Sequence, residues 1–243
     1  MNNEIGCDIL SFTVIAKALF DWEVFYLLKH YIDTFLYALI GGICIGIGGT
    51  AYLCTDNAMV GAVLFTVGLF TICTMNFNLY TGKVAYLFDN KPSYLIDVFF
   101  IWLGNLAGTY IIALLLSFTR IAARMQARAA AICELKLSDG LVSLFILAIF
   151  CNMLIFVAVD VFKKNPHPIG KYLALFLGVV VFIVCGFEHS VADMFYFSTA
   201  KVWSLNAFIA LIVITIGNAI GGLLIPAFRI AHSKLTEAEK ASK

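Results

Sequence analysis

Charge is what this sequence most lacks: of 243 residues only 13% are Asp, Glu, Lys or Arg, against 62% hydrophobic. A soluble domain carries about 25% charge, so a water-facing surface around the whole chain is excluded. The deficit is concentrated in six stretches without a single charge, 34–53, 57–82, 98–119, 140–159, 172–187 and 202–228. Five reach the ~20 residues that a helix needs to cross ~30 Å of hydrocarbon, and the run 172–187 nearly does. The pattern predicts an all-α membrane protein with six transmembrane helices.

Further absences narrow the function. A net charge of +1 supplies no field for nucleic acid, and the charge-free runs leave no room for a soluble catalytic domain. The seven cysteines form no C-x-x-C pair and lie mostly inside apolar runs, which reads as small packing residues rather than disulfides or metal ligands. Met1-Asn2-Asn3-Glu4 carries no basic segment, so a cleaved signal peptide is not expected.

Positive loops stay on the cytoplasmic side. With the N-terminus inside, the inner segments hold ten Lys and Arg and the outer ones five, which predicts both termini in the cytoplasm of an inner-membrane protein. Four of the outer five fall in one connection, 120–139. Arg120, Arg124 and Arg128 recur there every four residues along one helical face. That stripe is either a solvated surface touching headgroups or a positive rim that gathers anions. Residues 8–29 alternate apolar and charged positions, as in a helix lying on the inner membrane surface or packing against a neighbouring subunit.

Dividing the chain at the basic connection gives a first repeat, 34–119, and a second, 140–228, ahead of a tail at 229–243. In each, the middle apolar run meets a polar cluster: Thr74, Asn76, Asn78 and Thr81 in one, Glu188, His189, Ser190 and Asp193 in the other. Thr81 lies 47 positions into its half and His189 lies 49 into its own. The third runs share Gly104-Asn105-x-x-Gly108 and Gly217-Asn218-x-x-Gly221. Three crossings per half make the repeat inverted, the plan of transport proteins with interrupted helices and a midplane site. The glycines alone read as close packing of helices. The asparagines ask for more, because an amide in hydrocarbon must find partners and unwound backbone supplies them.

The two clusters, Asn78-Leu79-Tyr80-Thr81-Gly82-Lys83 and Gly186-Phe187-Glu188-His189-Ser190-Val191-Ala192-Asp193-Met194-Phe195, resemble motifs of the formate/nitrite transporter family. The second resembles that family's G-[FY]-E-H-S-x-A-[ND]-M signature and the first its L-[FY]-T-G loop. Similarity in the number and order of spans runs from about residue 10 to 230. The resemblance implies an aquaporin-like protomer in a homopentamer, an inverted three-plus-three repeat with broken second and fifth helices, one pore per protomer and no cofactor or metal. It also implies passage of small monovalent anions (formate, nitrite or hydrosulfide), often with protons. The family's central histidine falls on His189, its loop threonine on Thr81 and its buried lysine on Lys136.

A bare anion cannot cross an apolar constriction without help, because desolvation costs many kcal/mol. His189 is placed to give it a proton or a hydrogen bond, Thr81 to hold it opposite the imidazole, and Lys136 to draw it in. The amides Asn105, Asn152 and Asn218, each within an apolar run, join this pore group. Leu79, Tyr80 and Phe187 form the narrow apolar rings. Gly82 gives the loop freedom, Glu188 holds it through backbone amides, and Asp193 anchors it. Two other classes compete: an aquaglyceroporin-like channel for neutral solutes, disfavoured because neither break contains proline, and a membrane-embedded metalloenzyme, which lacks an H-E-x-x-H pattern.

Overall fold

A computed structural model describes the backbone of residues 4–241 and the side chains of residue 22 and residues 24–240. Every regular element in it is helical: α1 (Glu4–Leu53), α2 (Ala58–Met75), α3 (Tyr80–Lys83) with a following 3-10 turn (Val84–Asp89), α4 (Tyr94–Leu116), α5 (Ala122–Ser138), α6 (Leu141–Lys164), α7 (Pro168–Val184), α8 (Ser190–Ala200) and α9 (Leu205–Ala241). Five described helices are long and apolar enough to cross a membrane, one in each of α1, α2, α4, α6 and α9. The run 172–187, expected as a sixth, falls mostly in the 17 residues of α7 and ends short.

Local chemistry sets these limits. Asn57 caps α2 by accepting the Val60 amide at 3.1 Å, and α2 closes on Asn76 in the left-handed region. Pro168 opens α7, where its missing N–H costs nothing. Gly186, at a φ of 67°, turns the chain just after α7 in a conformation that a side chain would strain. Residues 8–29, expected as a separate surface helix, run without interruption into the first apolar stretch inside α1. The side chains of 4–21 and 23 lie outside the described residues.

Cross-helix contacts fix which ends share a side. His30 in α1 meets Asp97 at the start of α4 at 2.6 Å, whereas Asp56, beyond the far end of α1, meets Arg124 after α4 at 2.7 Å. Phe70 near the end of α2 lies against Tyr172 at the start of α7, and Arg229 in α9 bonds Asp160 near the end of α6. The start of α1 and the end of α9 therefore lie at one end of the bundle, called the terminal end. The exterior is apolar, with Leu115, Phe118 and Val142 largely exposed, as befits helices solvated by hydrocarbon.

Helix pairs approach closely where the paired glycines fall. A methyl group on Gly108 would be driven into the Leu39 carbonyl, and one on Gly221 into the Ile149 carbonyl. The two Gly-Asn-x-x-Gly motifs thus press α4 against α1 and α9 against α6, which delivers Asn105 and Asn218 to the middle of the bundle.

Candidate functional site

Between α2 and α3, and again between α7 and α8, the chain leaves helical geometry inside the bundle and frees backbone groups that must be satisfied there. Two asparagines do this in matching fashion. Asn105 donates to Ala38 O (2.7 Å) and Asn78 O (2.9 Å) and accepts the Tyr80 amide (2.8 Å). Asn218 donates to Ala148 O and Glu188 O (both 2.8 Å) and accepts the Ser190 amide (2.9 Å). Each partner in the first set stands 110 residues before its counterpart in the second. The contacts align Leu79, not Thr81, with His189.

Asn152 donates to Asn218 O at 2.6 Å, and the bare Cα of Gly222 leaves it room. In the other half the equivalent carbonyl, Asn105 O, takes the Thr109 hydroxyl at 2.9 Å. All three buried amides proposed for the pore are therefore engaged with backbone.

His189 and Thr81, 108 residues apart in sequence, meet with Nε2 and Oγ1 3.0 Å apart, both side chains buried. His189 is the N-cap of α8: its Nδ1 accepts the Ala192 amide at 3.1 Å. An amide can only donate, so Nδ1 holds a lone pair and the proton of the neutral ring sits on Nε2, directed at Thr81. The Thr81 hydroxyl makes no other hydrogen bond among the described residues. The ring stacks on Phe182 at 5.4 Å between centroids.

Lys136, from the end of α5, enters the same region. Its ammonium contacts Glu188 and lies 3.0 Å from Asp193 Oδ1, all three side chains largely buried. The Glu188 carboxylate thus takes the lysine, and not the backbone amides expected for it; its backbone carbonyl serves Asn218 instead. The missed pairing spans 52 residues and leaves no local signal. A cavity of about 90 Å³ is lined by Lys136, His189, Asp193, Phe187 and Tyr196.

Leu79 is buried, and Tyr80 donates its hydroxyl to Thr215 O at 3.0 Å. Phe187 stacks on Phe150 at 5.9 Å. Gly82 is helical, and a methyl there would meet Val159 at an ordinary 3.6 Å. Arg124 and Arg128 reach Asp56 at 2.7 and 3.6 Å, and Arg128 also bonds Thr55 O, tying α5 to the α1–α2 turn. Arg120 is exposed.

Apolar helices that bury an imidazole, a hydroxyl and a lysine between interrupted backbones define a multi-pass membrane protein of the channel and transporter class. The chain belongs to the formate/nitrite transporter family, whose sequence model matches residues 17–231. That family comprises channels and transporters, not enzymes. The chain is 27% identical to a probable formate transporter of Methanothermobacter thermautotrophicus, over 74% of this chain and 76% of the relative. It is 25% identical to formate channel FocA of Escherichia coli strain K12, covering 90% and 92% of the two chains. Among solved structures, a pentameric formate channel with formate bound superposes with a TM-score of 0.75 at 24% identity, over 85% of this chain and 98% of the other. An FNT family ion channel gives 0.69 at 22% identity, over 87% and 92%. At these identities the structures establish the fold alone.

Proposed function

We propose that the protein conducts small monovalent anions, formate or nitrite foremost, through a pore in each protomer that narrows between Leu79, Thr81 and His189. α2 with α3, and α7 with α8, each form one interrupted crossing, giving six crossings in an inverted repeat. The matching bonds of Asn105 and Asn218 support that reading. The balance of Lys and Arg supports both termini in the cytoplasm. The pentameric state of the similar formate channel supports a homopentamer.

The observation that carries the function is the His189–Thr81 pair with Nδ1 already occupied. An entering anion parts the pair and receives two donors, Nε2–H and the Thr81 hydroxyl, which match the two oxygens of formate or nitrite. Lys136 reaches the wall of the adjoining pocket, its charge held by Glu188 and Asp193, and Leu79 and Phe187 exclude hydrated ions. His189 acts as a hydrogen-bond donor while neutral. Handing over a proton requires first protonating Nδ1, which displaces the Ala192 amide. Proton coupling therefore demands a rearrangement of the α8 N-terminus.

Proteoliposomes separate this from a neutral-solute channel. Formate uptake is expected at least about tenfold above that of empty vesicles, a difference of about 1.4 kcal/mol in barrier, with glycerol uptake at background. Glycerol passage without formate passage would overturn the assignment.

A further inference from the structure

A second, larger cavity lies toward the terminal end and shares no lining residue with the His189 pocket. Its volume is about 300 Å³, and its walls are mostly apolar, with Leu69, Ile72, Phe77, Leu79, Val159 and Phe162 contributing. Three polar side chains interrupt that lining: Asn76, Lys83 and Lys163. Neither lysine makes an ion pair among the described residues. The Lys163 ammonium sits 4.0 Å over the Tyr86 ring, and the nearby carboxylate of Asp160 is taken by Lys164 at 2.6 Å and Arg229 at 2.7 Å.

A triatomic anion needs neither this volume nor these walls. Small-molecule sites begin at roughly 300 Å³ and combine apolar surface with a few convergent polar groups, which is the description of this cavity. Two uncompensated ammonium groups specify a negative head, and the aliphatic and phenyl walls specify an apolar tail.

We infer that this cavity binds amphipathic monoanions, an acidic head carried on one aromatic ring or a short alkyl chain, with the head at Lys83 and Lys163 and the tail against Leu79. Occupation closes the pore from the terminal end only. The effect on flux rests on the proposed function; the binding itself does not.

Cys73 lines the cavity and reports on it, while Cys185, exposed beyond the end of α7, does not line it and serves as an internal control. Benzenesulfonate, charged at every usable pH and membrane-impermeant, is the probe. Peptide-resolved mass spectrometry of N-ethylmaleimide labelling is expected to show Cys73 protected and Cys185 unaffected, with protection weakened about tenfold in K83Q/K163Q and retained in K83R/K163R. In oriented liposomes, benzenesulfonate at the terminal side is expected to inhibit formate uptake, scored against each variant's own uninhibited rate, and to have no effect from the other side. Unprotected Cys73, or protection equal in the double glutamine variant, overturns the site. Protection without sided inhibition overturns the blocking role and leaves the formate assignment intact, because uninhibited uptake is measured separately.

Discussion

Leu79 and His189 occupy the same station in the two halves of the chain, each the residue before the first turn of a short helix that starts inside the bundle, yet only His189 caps its helix with its own side chain. The difference converts a structural position into a chemical one. Capping spends Nδ1 on the Ala192 amide and turns Nε2–H toward Thr81. The first half, with a leucine at that station, contributes an apolar wall.

The paired asparagines are expected to carry stability out of proportion to their number. Asn218→Ala strands the Glu188 carbonyl and the Ser190 amide, each costing about 1–3 kcal/mol when buried unsatisfied, and removes a second bond from the helical Ala148 carbonyl. The detergent-solubilised protein should then lose about 4 °C or more in its unfolding midpoint. Asn206→Ala, which removes one 3.3 Å bond at an exposed site, should change stability by no more than about 0.5 kcal/mol. Equal losses would refute the bracing role.

Lys136 bridges two carboxyl groups that burial would otherwise leave side by side without a counter-charge. Lys136→Gln is expected to cost about 3–5 kcal/mol. Most of that loss should return when Glu188→Gln and Asp193→Asn are added. Midpoints of the single and triple variants check this, and a triple variant no more stable than the single would contradict it.

Much of this was legible in the residues. The charge-free runs mark the apolar helices, and the amides of Asn105 and Asn218 announce a demand for buried partners. Thr81 and His189 stand out as polar side chains where hydrocarbon was expected. What sequence does not disclose is pairing across distance. Nothing local couples Lys136 to Glu188, or Arg128 to the end of α1. Lys163, at the last turn of α6, reads as a loop cation until folding brings it beside Tyr86 and Lys83. The shortness of α7 is also hidden from span counting, because its apolar run continues past the helix into the turn at Gly186.

Gly82 and Gly41 should respond oppositely to a methyl group. At Gly82 it meets only ordinary contacts and a helical backbone, where alanine is favoured by up to about 1 kcal/mol, so Gly82→Ala should fold as well as the parent. Its formate uptake then reports directly on whether the loop must flex. At Gly41 the methyl collides with the Asn78 carbonyl, and the yield of folded protein should fall sharply. Equal yields would show that the loop is not pinned there.

The arginine stripe offers a test of long-range attraction. Two of its three members are tethered to Asp56 and still leave net positive charge at that end. Replacing Arg120, Arg124 and Arg128 by Gln should lower formate uptake more at about 0.01 M than at about 0.15 M salt, since screening shortens from ~30 to ~8 Å. A salt-independent change would assign them to structure alone.

Formate uptake into proteoliposomes by the parent, His189→Asn and His189→Phe proteins across a range of pH tests the central claim most directly. Phenylalanine removes the donor, and uptake should fall about a hundredfold, corresponding to about 2.7 kcal/mol of lost stabilisation in the pore. Asparagine keeps an N–H and should retain a measurable part of the rate, with a weaker dependence on pH. Undiminished uptake through the phenylalanine protein would contradict the account.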